Sequence, residues 1–88
     1  MPDFEWDDGN VDHVARHGVS PGEAEEALAD SHRVGTGAYN AGCERRSAVI
    51  GATEDGRILL VVYTWRRDSI RVVTARDADQ AQKRRYRR

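Results

Sequence analysis

Arg71 and Arg76 sit in a stretch, Ser69 to Arg76, that alternates as a β-strand does. Ile70, Val72, Thr74 and Arg76 share one face, and Ser69, Arg71, Val73 and Ala75 the other. One arginine is therefore expected on each face, where a strand bordering a core has little reason to hold a guanidinium group. Such a group grips two non-bridging oxygens of a phosphate and stays protonated at every working pH. Arg76, Arg71 and Arg46 are thus candidate phosphate clamps. Arg76 leads, because it ends the strand and borders a basic segment; Arg71 and Arg46 have an alternative use as ion-pair partners of Glu44 or Asp77. His17, immediately before Gly18, carries an imidazole, the side chain best suited to proton transfer, and is the candidate general base, although the same place suits a histidine that only stabilises a helix C-terminus.

A second set of residues could hold a polyanion rather than act on it. Arg45, Lys83 and Arg84 offer charge. Tyr63 and Tyr86 could stack on a base or donate a hydroxyl to a phosphate, unless they are packing residues with satisfied hydroxyls. The run Lys83-Arg84-Arg85-Tyr86-Arg87-Arg88 favours an acidic partner, either as a segment tracking a phosphate backbone or as a solvated end. His13 and His17 have a spacing that chelates zinc on a helix. They lack the glutamate of H-E-x-x-H and an obvious third ligand, so no metal or other cofactor is expected.

The elements that must position these groups follow from patterning. Ile58 to Trp65 is an almost unbroken apolar run, the mark of a central strand buried on both faces, and Arg66-Arg67-Asp68 turns it into the Ser69–Arg76 strand. Phe4-Glu5-Trp6-Asp7 reads as a short edge strand. Turn and N-cap residues follow to Asn10, and Val11, Val14 and Ala15 then recur at helical spacing toward Gly18, a helix of about ten residues. Ser20-Pro21-Gly22-Glu23 is a capping box that starts a second helix with Ala24, Ala27 and Leu28 buried, and its glutamates suit the helix dipole rather than a metal. Arg33 to Tyr39, weakened by Gly35 and Gly37, reads as an irregular edge strand. Arg45 to Thr53 reads as a further strand, joined to the central one by the hairpin signal Asp55-Gly56. Asp77 to Arg88 reads as a basic helix. The expected fold is α+β in the order β-α-α-β-β-β-β-α, with two layers in which the helices cover an antiparallel sheet.

At 88 residues the chain is a single domain, 1–88, burying roughly 60 to 65% of its unfolded surface. One cysteine, Cys43, excludes a disulfide framework and a cysteine-based zinc site. An acidic start without an apolar leader, and no run long enough to cross a bilayer, predict a soluble cytoplasmic protein without membrane contact. The net charge of -1 hides an asymmetry. Residues 1–30 carry nine acids against Arg16 alone, and residues 31–88 carry thirteen bases against six acids. A polyanion-facing surface is expected on the sheet and C-terminus, with the acidic segment packed elsewhere or facing a basic partner.

Several of these pieces stand in a familiar order: Phe4-Glu5-Trp6-Asp7, Arg16-His17-Gly18-Val19, Arg46 five residues before Gly51, Gly56-Arg57-Ile58-Leu59, and Ile70-Arg71-Val72-Val73-Thr74-Ala75-Arg76. Over nearly its whole length the chain resembles the BrnT family of RelE-like ribonuclease toxins, which are neutralised by a BrnA antitoxin carrying a ribbon-helix-helix DNA-binding part. The resemblance implies a RelE-like fold and a metal-independent endoribonuclease that cleaves RNA and inhibits translation. His17 would be its base, Arg46, Arg71 and Arg76 its transition-state cations, and Arg45, Tyr63, Lys83, Arg84 and Tyr86 its RNA-binding residues. It implies operator DNA as a partner only through the antitoxin, and leaves homodimerisation open. Asn10 and Arg16 stand where many members have lysine, and Gln82 where a glutamate is usual. These departures motivate a second reading, a catalytically impaired module that complexes the antitoxin and contributes to operator repression.

Overall fold

A computed structural model describes residues 3–87. The Ile58 run forms the middle strand of a five-stranded sheet, β4 (Ile58–Arg66). It lies antiparallel to β3 (Glu44–Ala52) on one side and to β5 (Ser69–Asp77) on the other. Outside these lie the edge strands, β2 (Val34–Ala41) against β3 and the short β1 (Asp3–Glu5) against β5. The meander from β2 to β5 is antiparallel, but β1 runs parallel to β5, so the sheet is mixed rather than antiparallel throughout. The intervening chain explains this: α1 (Asp8–Ala15), α2 (Pro21–Ala29) and three strands separate β1 from β5, so no hairpin constrains their relative direction.

The helices also depart from the two-layer expectation. Val49, Leu59, Val61, Ile70, Val72 and Ala75 pack with Val14 of α1 and with Ala24, Ala27 and Leu28 of α2. The alternate residues Ile50, Ile58 and Leu60 pack instead with Ala78 and with Tyr86 of α3 (Gln80–Tyr86), on the opposite face. A strand apolar on both faces needs cover on both, and α3 supplies the second layer over β3. Its N-terminus is capped by Asp79, which pairs reciprocally with Gln82; Arg88 lies outside the described residues.

A β-bulge overturns the expected placement of the arginines. Tyr63 pairs with Val72 but Val62 pairs with Thr74, leaving Val73 as an extra residue in β5. One inserted residue reverses the alternation beyond it, so Ala75 joins Ile70 and Val72 in the α1/α2 core. Arg71, Thr74 and Arg76 consequently share the α3 side of the sheet, instead of one arginine lying on each face.

Asp7 caps α1 in a reciprocal box with Asn10, and Ser20 caps α2 in the same way with Glu23. The first helix is eight residues long and ends at Ala15 with Arg16 as its C-cap, so His17 lies in the turn beyond it, which closes through Gly18 at φ +71°. At Gly51 the backbone of β3 meets α2 directly: a Cβ there would overlap the carbonyl oxygen of Ala27. No helix among the described residues is long and apolar enough to cross a membrane.

Candidate functional site

Register builds the site. Tyr39, Arg46, Thr64, Arg71 and Glu5, from β2, β3, β4, β5 and β1 in turn, are successive cross-strand partners and form one row over the α3 side of the sheet. Thr64, at the centre, is buried and donates its hydroxyl to the carbonyl of Arg45 at 2.7 Å. On either side of it, Arg46 and Arg71 border an open depression of about 280 Å³ that Arg66, Glu44 and His13 also line.

The guanidinium groups at this depression are paired. Arg71 grips Asp7 with both Nη atoms, at 2.9 and 3.2 Å, and reaches Glu5 at 3.3 Å. Arg66 lies 3.7 Å from Glu5 and 3.3 Å from Glu44, and Arg46 Nε donates to Glu44 at 3.0 Å. Charges thus alternate from Asp7 through Arg71, Glu5, Arg66 and Glu44 to Arg46. Arg71, followed by the Asn10 N–H, holds the Asp7 carboxyl below its usual range; Arg46 does the same for Glu44, reinforced by Arg66 against some desolvation. Of the two ion-pair partners the sequence offered, Glu44 takes Arg46, whereas Asp77 takes Arg57 at 2.7 Å and neither candidate clamp.

Helix α1 lies along the β5 edge and is tied at both ends. Asn10, buried, donates to the carbonyls of Glu5 and Val72 at 3.0 Å each and accepts the Asp7 N–H at 2.8 Å. At the far end Arg57 donates to the Gly18 carbonyl at 2.8 Å and pairs with Glu23 as well as Asp77. Held this way, α1 carries His13 to the arginine depression. His17 does not line it, but its ring lies 5.8 Å from that of His13, and both residues are exposed.

Arg76 stands apart. Four residues of β5, one of them bulged, lie between it and Arg71, roughly 15 Å along the strand, so the two cannot clamp one phosphate. Its Nη1 donates to the Asp77 carbonyl at 3.0 Å and to Gln82 Oε1 at 3.5 Å, and no carboxylate of the described residues lies within 4.0 Å. Arg46 and Arg71 are neutralised where Arg76 is not. Beside it α3 carries Lys83, half-buried, and Arg84, exposed. Tyr86 is committed: it packs on the α3-side core and donates to Asp30, which raises its own pKa. Asp30 is disfavoured as an anion by burial, but bonds from Tyr86, His32 and Ala52 outweigh that and keep its carboxyl below the usual range. Tyr63 is half-buried on the opposite face against the main core, and Arg45 lines a separate opening beside Trp65.

Much of the acidic half serves the fold. Glu23 pairs with Arg57, Glu25 accepts the Trp6 indole N–H at 2.8 Å, and Glu26 accepts the Glu54 N–H at 3.1 Å. Residue patterning missed two groups at the depression. His13 was legible only as half of a zinc pair, and Arg66 only as a turn residue; the signal for Arg66 is its period-two spacing from Thr64, readable once the register is known.

The profile of a family described as "Ribonuclease toxin, BrnT, of type II toxin-antitoxin system" matches residues 6–82. No curated protein matches the chain. The matched segment spans both histidines, the whole cross-strand row except Glu5, and the start of α3 through Gln82. The chain belongs to the BrnT family of type II toxin-antitoxin ribonuclease toxins.

Proposed function

We propose that this BrnT-family protein is a metal-independent endoribonuclease of RelE-like character that cleaves RNA and thereby inhibits translation. The observation that carries the reading is the exposed imidazole of His13 at the depression of Arg46 and Arg71, with the ring of His17 5.8 Å from it and the un-neutralised Arg76 farther along the same strand. An imidazole takes the proton of a ribose 2′-hydroxyl, and the freed oxygen attacks the adjacent phosphorus. The bond to the 5′-oxygen breaks, and a protonated imidazole supplies the proton that oxygen needs. His13 and His17 are the two groups for these transfers. Arg46 and Arg71 meet the phosphate when it displaces Glu44 and Asp7, and Arg76 meets charge farther along the strand. Arg45, Tyr63, Lys83, Arg84 and Tyr86 remain proposed RNA contacts, Tyr86 through its ring edge because its hydroxyl is engaged.

Expressed alone, the protein is expected to arrest growth, and the purified chain to cleave RNA in EDTA with binding that weakens steeply as salt rises. Cleavage that appears only on adding a divalent metal contradicts this mechanism. The proposed partner is a BrnA-like ribbon-helix-helix antitoxin, with operator DNA reached through it, and the proposed compartment is the cytoplasm.

A second reading is favoured by the ion-pair chain itself. Arg46, Arg66 and Arg71 all spend their charge on Glu44, Glu5 and Asp7, which suits a rigid binding module that holds an antitoxin without cutting RNA. Tight antitoxin binding with no RNA cleavage in any buffer identifies this case.

A further inference from the structure

Trp65 is 55% exposed, an unusual state for the largest apolar side chain, and it sits at the end of β4 with open depressions on both sides. One depression, about 330 Å³, is lined by Phe4, Tyr63 and Arg33 besides Trp65, and no carboxylate residue lines it. The other, about 680 Å³, is lined by Arg45 and, toward the arginine depression, by Glu44 and Arg66, which pair with each other. Tyr63 and Trp65 are two residues apart on one strand, so their side chains leave the same face roughly 7 Å from each other. Among the described residues the Arg33 guanidinium bonds to the Asp30 carbonyl at 3.2 Å, and neither it nor Arg45 has a carboxylate of those residues within 4.0 Å. In the arginine depression each guanidinium is paired with a carboxylate, whereas beside Trp65 Arg33 and Arg45 carry no carboxylate partner among the described residues, Glu44 being taken by Arg46 and Arg66.

We propose that Trp65, with Tyr63 behind it and Arg33 and Arg45 at its sides, is a stacking platform for the bases of single-stranded RNA. An indole face accepts any base, and flanking arginines that carry no counter-charge can meet the phosphates on either side of it. Charge decides the occupant. A platform bordered by free guanidinium groups fits a chain that is anionic along its whole length and offers a π-face at each unit. The proposal rests on the RNA-directed reading above and adds to it a subsite on the sheet face opposite Arg76.

The test is binding of a short, 2′-O-methylated single-stranded oligonucleotide, which cannot be cut through its 2′-oxygen. Affinity is read by anisotropy for the wild type, Trp65→Ala, Trp65→Phe and Arg45→Gln, with melting temperature measured on each. Trp65→Ala is expected to weaken binding by about 5- to 150-fold, the range for loss of one stacked base, while Trp65→Phe stays within a few-fold of wild type. Arg45→Gln is expected to lower the slope of log affinity against log salt by about one. Unchanged affinity in a folded Trp65→Ala protein overturns the proposal. So does loss of binding to an acidic helical peptide in that variant with oligonucleotide binding intact, which assigns the surface to a protein partner. Because the probe is uncleavable, a Trp65-dependent affinity stands even if no nuclease activity is found. Cleavage that persists unaltered in Trp65→Ala removes the subsite and leaves the nuclease reading in place.

Discussion

Arg71 and Asp7 meet in a two-pronged ion pair, with Nη1 2.9 Å from Oδ2 and Nη2 3.2 Å from Oδ1, which joins the last strand to the cap of the first helix. The pair fixes where α1 begins and so where His13 stands. Asp7, Glu23, Glu44 and Asp77 are all held below the ordinary carboxyl range, Asp7, Glu44 and Asp77 chiefly by an arginine and Glu23 chiefly by its Ser20 cap bond. Groups with a depressed folded pKa contribute stability above the unfolded value of about 4, and that contribution is lost as pH falls through the folded values. Urea midpoints are therefore expected to be flat near neutrality and to drop below about pH 4, less steeply in Asp7→Asn. An acid limb identical in wild type and Asp7→Asn contradicts the pairing.

Gly51→Ala is expected to lower stability by about 2 kcal/mol or more, because the new methyl group would have to displace the α2 backbone at Ala27. Gly35→Ala, where nothing lies within 4 Å of the added Cβ, serves as control and should change little. Equal effects at the two glycines contradict the close contact of helix and sheet.

The proton-transfer role is tested by His13→Ala and His17→Ala. Removal of a general acid or base costs roughly 100- to 10,000-fold in rate. The larger loss is expected at His13, which borders the arginine depression, with melting temperatures nearly unchanged because both residues are exposed. Wild-type cleavage by the doubly substituted protein removes imidazole chemistry from the site.

Local signals carried much of this architecture. The Ser20 capping box, the Asp55-Gly56 turn and the two-faced apolar run of β4 each depend on neighbours in sequence, and the family motifs led to the family. The bulge at Val73 did not show, since Val73 has no turn chemistry and the inserted residue becomes visible only against Tyr63 and Val62 of the partner strand. That single residue decides whether Arg71 and Arg76 share a face. The parallel pairing of Phe4 with Ile70, 66 residues apart in sequence, and the choice of Asp7 over Asp77 by Arg71 are likewise long-range outcomes with no local signature.

Arg76 tests the central claim, that un-neutralised charge on the α3 side of the sheet holds the RNA chain whose scissile phosphate meets Arg46 and Arg71. Cleavage rate in EDTA and melting temperature are measured on the same preparations of wild type, Arg76→Ala and Arg76→Lys. Loss of one charge-assisted contact to a flanking phosphate predicts a fall of about 10- to 150-fold in kcat/KM for Arg76→Ala, with partial recovery for Arg76→Lys because lysine keeps the charge without the fork. Since Arg76 bonds, among the described residues, only to the Asp77 carbonyl and Gln82, none of their carboxylates is orphaned and the melting temperature should barely move. Full activity from a well-folded Arg76→Ala protein, or a loss of activity that only tracks a loss of fold, would contradict the account.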